Sequence, residues 1–438
     1  MNKIKVATDI TPLCNRFHLP DPKQGIYNVI EEVLTEVCKR PDLEMTAVGI
    51  CGDDPIADSI KASFYLEHKK LSCDFSSTFR VRPGLTPFYN SVFRSSLSGA
   101  IDRLPSRSPR KALLVSLRSL LSRMRNYGLV RPDMVFNSKV FDVFHYPHTY
   151  LRPKEATGNL PRVITIYDLI PVIRPDFVTK RIFDSLKYAL DQIDRARDWI
   201  VCISEFTRQE FCEYTGMSGD RVFVTQLAAA SHFRPQTDPQ VIANARSRYG
   251  VPQGRYFLTL AAPQPRKNLA LLIRAFFRLL EEQQLPNTYL VLAGSKEQGW
   301  MYDEIFAAAE SSPKHRTQLI FTGYVTDDDL AALYSGSAAF IFPSLYEGFG
   351  LPPLEAMACG APVITSNSTS LPEVVGNAGI MVDPDDEETL AQRMLDLLTN
   401  ESLRQTLIVK GLERAKEFSW QKCAEETARV YHLAAERG

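Results

Sequence analysis

None of the eight cysteines forms a C-x-x-C pair, so neither a zinc knuckle nor a disulfide framework is indicated. Most of them, Cys202 and Cys359 among them, sit in apolar runs and read as small core residues, which makes the reducing cytosol the expected compartment. Net charge is missing as well. The 51 basic residues balance 51 acidic ones, so whole-chain charge predicts no polyanionic partner. No segment is long and apolar enough to span a membrane; the uncharged stretch 330–346 contains serines and a proline. The opening Met-Asn-Lys-Ile-Lys-Val runs directly into a strand pattern and lacks the apolar core of a signal peptide. G-x-G-x-x-G is absent too, which argues against a nicotinamide-dependent oxidoreductase. No repeat or low-complexity tract stands out. What remains is a 438-residue chain, long enough for two or three domains with cores of their own.

Strand-like and helical runs alternate along it. The second half shows apolar runs at 256–261, 289–293, 319–321, Ala339–Phe342, 362–365 and 379–382, with helical patterns such as 268–282 and Asp327–Ser335 between them. This alternation predicts an α/β fold with a doubly wound parallel sheet and ligands beyond the C-terminal strand ends. The first half follows the same grammar less regularly, with strands expected at 4–10, 45–50, 140–145, 162–167, 200–203 and 222–225 and a helix at 27–37. Pro235, Pro239, Gly250, Pro252 and Gly254 cluster between the halves. The expected domains are therefore 1–235 and 255–418, a linker 236–254, and a closing amphipathic helix within 419–438.

One stretch carries the chemistry: Phe342-Pro-Ser-Leu-Tyr-Glu347-Gly-Phe-Gly-Leu-Pro-Pro-Leu-Glu355-Ala-Met-Ala-Cys-Gly360. A strand ends in a loop with one carboxylate, Glu347, and two glycines, Gly348 and Gly350. Pro352 and Pro353 suit the first turn of a helix, where a missing N–H costs nothing. Glu355 is expected in that first turn, and Gly360 ends the helix. Strand, glycine loop and helix start aim backbone N–H groups and a positive helix end at one place, which suits phosphate. The acids beside it suit hydroxyl groups, so the unit reads as a phosphate-plus-sugar site; an ordinary βαβ crossover with surface glutamates is the competing account. A second cluster, Arg266-Lys267, follows a strand and precedes a helix. Positive charge at a helix start is unfavourable unless an anion is present. Asp327-Asp-Asp329 looks superficially like a metal-binding run, but acids opening a helix are what the helix dipole prefers. No metal site is expected.

Two glutamates with seven residues between them, within E-G-F-G-L-P-P-L-E-A-M-A-C-G-A-P-V-I, resemble the signature of the retaining glycosyltransferases built from two facing Rossmann-like domains (GT-B). The likeness is to glycosyltransferase family 4, and within it to bacterial mannosyltransferase-like members. It implies a nucleotide-diphosphate sugar as donor, mannose before a 6-deoxyhexose, and a glycan or lipid-linked glycan as acceptor. It also implies front-face transfer without metal or cofactor. Arg266 and Lys267 would grip the diphosphate, Glu347 the sugar hydroxyls and Glu355 the ribose. Gly348, Phe349, Gly350 and Leu351 would supply backbone donors to the phosphates. Covalent double displacement through Glu347 stays open.

In the first domain the chain departs from the pattern. Relatives carry His-Asp where this sequence reads Ile166-Tyr167-Asp168-Leu-Ile-Pro171. Tyr167 either substitutes as a hydrogen-bonding group, fills the space of a missing 6-hydroxyl, or marks an impaired enzyme. Asp168 keeps its place in the motif. Ser204 matches the family's serine after a strand and equally suits a helix N-cap. Gly25 lies where relatives place glycine near the donor phosphates. His145 and His148 either approach the cleft or pack at a strand end. Between Arg94 and Arg131 stand nine Arg/Lys and one acid, Asp102. A helix over 110–125 would either lie on an anionic membrane surface, at the inner face of the cell membrane, or pack its apolar stripe on the sheet. Nucleic acid is not an expected partner, because aromatic residues are sparse there. Two other functions stay open: a GT-B scaffold without turnover, and a nucleotide-sugar epimerase or hydrolase on the same fold.

Overall fold

The computed structural model describes residues 3–16, 25–48, 140–149, 151, 157–262, 264–294 and 302–437, with short pieces at 65–66, 69, 73–76, 79–81, 109 and 130–132. The basic segment 94–131, including 110–125, lies almost wholly outside the described residues. Two parallel sheets carry the described fold. The first has seven strands in the order β3 (Asp74–Ser76), β2 (Leu43–Val48), β1 (Ile4–Asp9), β6 (Val143–Tyr146), β7 (Arg162–Ile166), β8 (Trp199–Cys202) and β9 (Val222–Val224). β4 (Phe79–Val81) and β5 (Val130–Pro132) form a separate antiparallel pair. The second sheet has six strands in the order β12 (Leu319–Gly323), β11 (Thr288–Ala293), β10 (Arg255–Leu260), β13 (Ala339–Phe342), β14 (Val363–Ser366) and β15 (Ile380–Val382).

The central strands are buried along their length, as continuous apolar runs in a helix-covered parallel sheet must be. Around the first sheet run α1 (Thr11–Arg16), α2 (Ile26–Val37), α3 (Ile170–Ile173), α4 (Lys180–Asp191) and α5 (Glu205–Thr215). The second carries α6 (Pro239–Arg248), α7 (Leu269–Gln283), α8 (Tyr302–Glu310), α9 (Asp327–Ser335), α10 (Leu351–Ala358), α11 (Leu371–Val375), α12 (Glu387–Thr399) and α13 (Glu401–Ala415). In the second sheet β10 has β11 on one side and β13 on the other, so the strand order reverses between β10 and β13. That reversal opens a crevice beyond the strand ends. The loops that leave β10 and β13 carry Arg266-Lys267 and Glu347 into it.

The runs read as strands are strands, with ends displaced by up to three residues, as in Val143–Tyr146 against the expected 140–145. The proline- and glycine-rich segment 236–254, expected as a linker, contains a helix. This is α6, with Pro239 in its first turn and the Asp238 carboxylate accepting from Gln240 N at 2.8 Å. α6 packs on α9, and Arg248 and the Tyr249 hydroxyl both reach the Asp329 carboxylate (2.6 and 2.8 Å). Proline clusters mark helix starts as readily as linkers. The last helix, α14 (Trp420–Arg437), lies on the first sheet and touches α2, β1, β6, β7 and β8. Its Tyr431 hydroxyl shares a 2.7 Å hydrogen bond with His145 Nδ1, and His432 Nε2 meets Asp42 Oδ2 at 2.8 Å.

Tyr431 is fully buried where α14 meets the first sheet. Tyr431→Ala should therefore cost about 3–5 kcal/mol, as for other large aromatic truncations. A loss below about 1 kcal/mol in reversible denaturation would show that α14 is dispensable to the first domain.

Candidate active site

Hydroxyl groups hold much of the loop between β13 and α10. Ser366 Oγ donates to Ser344 O, and Ser368 Oγ to Ser344 O and Leu345 O (3.1 and 3.2 Å). Glu347 N donates to Thr369 Oγ1 at 3.1 Å. Ser370 Oγ is 2.8 Å from both Glu347 O and Phe349 O. The run Ser366-Asn-Ser-Thr-Ser370, which begins on the last residue of β14, is thus a cradle for buried carbonyls that no strand or helix satisfies. Gly350 caps α10 with φ +119°, and a Cβ there would stand 2.9 Å from Leu371 Cδ2. Only glycine makes this turn without strain. α10 starts at Leu351, so Glu355 is its fifth residue and lies in the second turn rather than the first. Phe349 turns its ring onto Phe418 and offers the crevice backbone alone.

The cations meet the first carboxylate directly. Lys267 Nζ donates to Glu347 Oε1 at 2.6 Å, and Arg266 Nη1 forms an ion pair with Glu347 Oε2 at 2.5 Å. Arg266 also grips the loop backbone: its Nη1 donates to Tyr346 O (3.1 Å) and its carbonyl accepts from Leu345 N (2.7 Å). Lys267 lies over the Phe342 ring at 4.4 Å, so an aromatic face covers the ammonium. Lys267 and Glu347 are 9% and 8% exposed, which makes this an ion cluster shielded from water. Burial alone would push Glu347 up, but Lys267 and Arg266 outweigh it and hold the carboxyl down to about 2. Burial and then Arg266 push Lys267 down, with Glu347 opposing them. At neutral pH the three groups carry one surplus positive charge.

The first domain closes over this cluster. Asp168, beyond the end of β7, accepts from Ile170 N (3.1 Å); burial pushes its carboxyl up, with Arg266 working against that shift. The Tyr167 hydroxyl donates to Pro147 O at 3.0 Å, and burial pushes it well above the usual phenol range. What Tyr167 brings to the cluster is its carbonyl: a Cβ on Gly348 would lie 2.2 Å from that oxygen. Gly348 is therefore small because the other domain's backbone passes there. Ser204 caps α5, accepting from Thr207 N (3.0 Å), and also donates across the crevice to Gly348 O (2.7 Å). The serine is the N-cap of α5, and the same hydroxyl reaches the loop of the second domain. Thr207 Oγ1 donates to the same carbonyl at 3.1 Å. Beside them the Tyr346 hydroxyl donates to the Glu210 carboxylate.

Other candidates stand apart. Gly25 caps α2 with φ +49°, and none of the described contacts joins it to the Glu347 cluster. His145 is a core residue: burial, with a smaller effect from His148, pushes it down to about 3, and its Nε2 bonds Thr165 Oγ1 at 3.0 Å. His148 Nε2 meets Asp9 Oδ2 at 3.1 Å in the buried interior. In the acidic run 327–329, Asp329 N donates to the α9 cap Thr326 (3.4 Å), and the Asp329 carboxylate anchors α6. Asp327 lies close enough to Glu355 that, after burial itself, its charge helps push Glu355 up to about 8.

A family model described as glycosyl transferases group 1 matches residues 242–414. O-antigen chain mannosyltransferase B of Escherichia coli is 34% identical over 328 residues, covering 74% of this chain and 81% of that protein. The chain is a group 1 glycosyltransferase. Serotype-specific mannosyltransferase WbdA of Escherichia coli is 37% identical over 317 residues, 70% of this chain but only 37% of its own length. Among solved structures, a glycosyltransferase from Rickettsia africae superposes over 100% of both chains with a TM-score of 0.63 at 16% identity. WaaG, a glycosyltransferase involved in lipopolysaccharide biosynthesis, does so over 97% of this chain and 99% of its own, with a TM-score of 0.59 at 13% identity. These likenesses, with the two parallel sheets, show the GT-B fold.

The glycosyltransferase thus brings Arg266, Lys267, Glu347, Asp168, Ser204 and Gly348 to one place. Its sequence held signals for three groups that motif reading missed. Thr207 stands three residues after Ser204, at capping spacing. The hydroxyl-rich run 366–370 begins at the end of a strand. Tyr346, whose partner Glu210 lies on α5, precedes the first glutamate.

In this glycosyltransferase Gly348→Ala should keep the fold and cut turnover roughly 10²-fold, because the new Cβ pushes the Tyr167 backbone and the reacting groups apart. Unchanged turnover would mean that the contact is not made during catalysis. Glu355 gives a second test. Its folded-state pKa is raised, so the folded chain keeps a proton that the unfolded chain has lost between about pH 4.5 and about 8. Wild-type stability therefore falls as pH rises through that window. The Tm of Glu355→Gln relative to wild type should climb steadily over the same range; a flat difference would contradict this protonation.

Proposed function

We propose that this glycosyltransferase moves mannose, with retention and without a metal, from GDP-mannose to a bacterial surface glycan or its lipid-linked precursor. The observation that carries the reading is the convergence of Arg266 and Lys267 on Glu347 in a shielded crevice. Breaking the C1–O bond leaves negative charge on the diphosphate, and fixed cations already in place stabilise it without reorganisation. In the free protein Glu347 fills the place of that anion. As the diphosphate takes over the cations, the carboxylate becomes an acceptor for a vicinal diol of the sugar. The acceptor hydroxyl attacks from the face that the diphosphate leaves, and its proton passes to the departing phosphate oxygen. Glu355 accepts from the ribose hydroxyls, and backbone N–H groups at the start of α10 face the phosphates. Mannose and a surface glycan are favoured because the O-antigen and serotype-specific relatives are mannosyltransferases. No helix among the described residues is long and apolar enough to cross a membrane.

The direct test measures nucleotide release from GDP-mannose, UDP-glucose and dTDP-sugars with and without mannose-terminated oligosaccharides, in chelator. GDP release that rises with acceptor, and an α-linked product by NMR, is the expected result. Release independent of acceptor would indicate a hydrolase, and an inverted linkage would remove the front-face mechanism. GDP at about a hundredfold over its Kd should add roughly 2.7 kcal/mol of stability. Absence of any nucleotide-dependent shift would favour a scaffold.

A further inference from the structure

The first turn of α5 and its cap meet the second domain twice within four residues. Its amides hold a foreign carboxylate: Glu373 Oε1 and Oε2 accept from Glu205 N at 3.0 and 2.9 Å, and Oε2 also from Phe206 N at 3.3 Å. Gln226 Nε2, also in the first domain, donates to Glu373 Oε1 at 3.0 Å. An anion at a helix N-terminus opposes the dipole and satisfies amides that have no helical partner. The side chains of the same turn hold Gly348 O, through Ser204 Oγ and Thr207 Oγ1. Both partners belong to one assembly of the second domain. Glu373 lies in α11, directly after the Ser366–Ser370 cradle that holds the Glu347 loop. Arg414 fixes it from behind, donating to Glu373 O and Val374 O at 2.6 and 3.0 Å. Glu347 itself makes none of these interdomain bonds, but Gly348 is its neighbour in the loop.

We propose that Thr207 and Glu373 are positioning residues that make the placement of Glu347 conditional on contact between the domains. This rests on the reading above, in which Glu347 holds the donor sugar. Ser370 and Thr369 hold the loop from within its own domain whether the crevice is open or closed. The Gly348 carbonyl is held only when α5 arrives, and Glu373 is the contact that brings α5 to its seat. A carboxylate set in place only on closure limits loss of the activated sugar to water in the open state.

Amide hydrogen exchange on the full chain, with turnover measured in parallel, tests this. In Glu373→Ala, residues 204–208 and 344–350 should lose protection together, by about tenfold or more, at nearly unchanged Tm. Thr207→Val should deprotect 344–350 alone. In both variants kcat should fall at least about tenfold with donor KM little changed, the pattern of a lost transition-state arrangement. Thr207→Ser and Glu373→Gln, which keep a hydroxyl and an acceptor oxygen, should recover much of the loss. If 344–350 stays protected in Glu373→Ala, the proposal is overturned. It is overturned equally if Thr207→Val and Thr207→Ser behave alike. A wild type that turns over no nucleotide sugar, yet shows the joined exchange response, would sink the transferase reading and leave the interdomain coupling standing.

Discussion

Glu347 and its two cations govern how the rest of this glycosyltransferase is arranged. None of the three could be buried alone, since an unpaired charge in a shielded crevice costs several kcal/mol. Together they are tolerated and leave one positive charge over. That surplus defines where an anion belongs before any ligand arrives. The groups come from two loops far apart in sequence, after β10 and after β13, so the cluster also ties together the two strands between which the sheet order reverses. The crevice lies where the connections leaving these two paired strands part to opposite sides of the sheet.

Around this cluster the structure uses hydroxyls where a sheet or helix would use backbone. Loop 344–349 runs through buried space without regular secondary structure, so its carbonyls need donors from elsewhere. Serines 366, 368 and 370 supply them from the second domain, and Ser204 and Thr207 from the first. Rigidity at Glu347 is therefore shared between domains. The close passage of the Tyr167 carbonyl past Gly348 belongs to the same arrangement, because the domains approach until backbone meets backbone. Tyr167 shows how such an interface changes a residue's meaning: its hydroxyl is used on Pro147, and its contribution at the crevice is its main chain.

Much of the fold was legible because parallel strands buried on both faces leave continuous apolar runs that sequence displays plainly, as at Ala339–Phe342. The glutamates, the glycines between them and the Arg-Lys pair were legible because each breaks a local preference: acids and glycines after a strand, cations at a helix start. Segment 236–254, read as a linker, holds a helix at Pro239–Arg248 that its composition did not reveal, because proline serves both helix starts and linkers, and only the packing of α6 on α9 tells them apart. Glu373 and Thr207 gave no motif. An acid in a short helix and a threonine in a first turn are ordinary locally, and their partners lie 168 and 141 residues away.

The sequence by itself determined the α/β alternation, the glycine loop flanked by Glu347 and Glu355, and the cationic pair, because periodicity, turn chemistry and helix-end electrostatics act over a few neighbouring residues. Tertiary structure alone decided that Lys267 and Arg266 grip Glu347, that Gly348 is small for the sake of Tyr167, and that His145 is a neutral core residue against Tyr431. Those outcomes depend on burial and on distances between chain segments far apart in sequence. Such quantities exist only once both sheets have formed and faced each other.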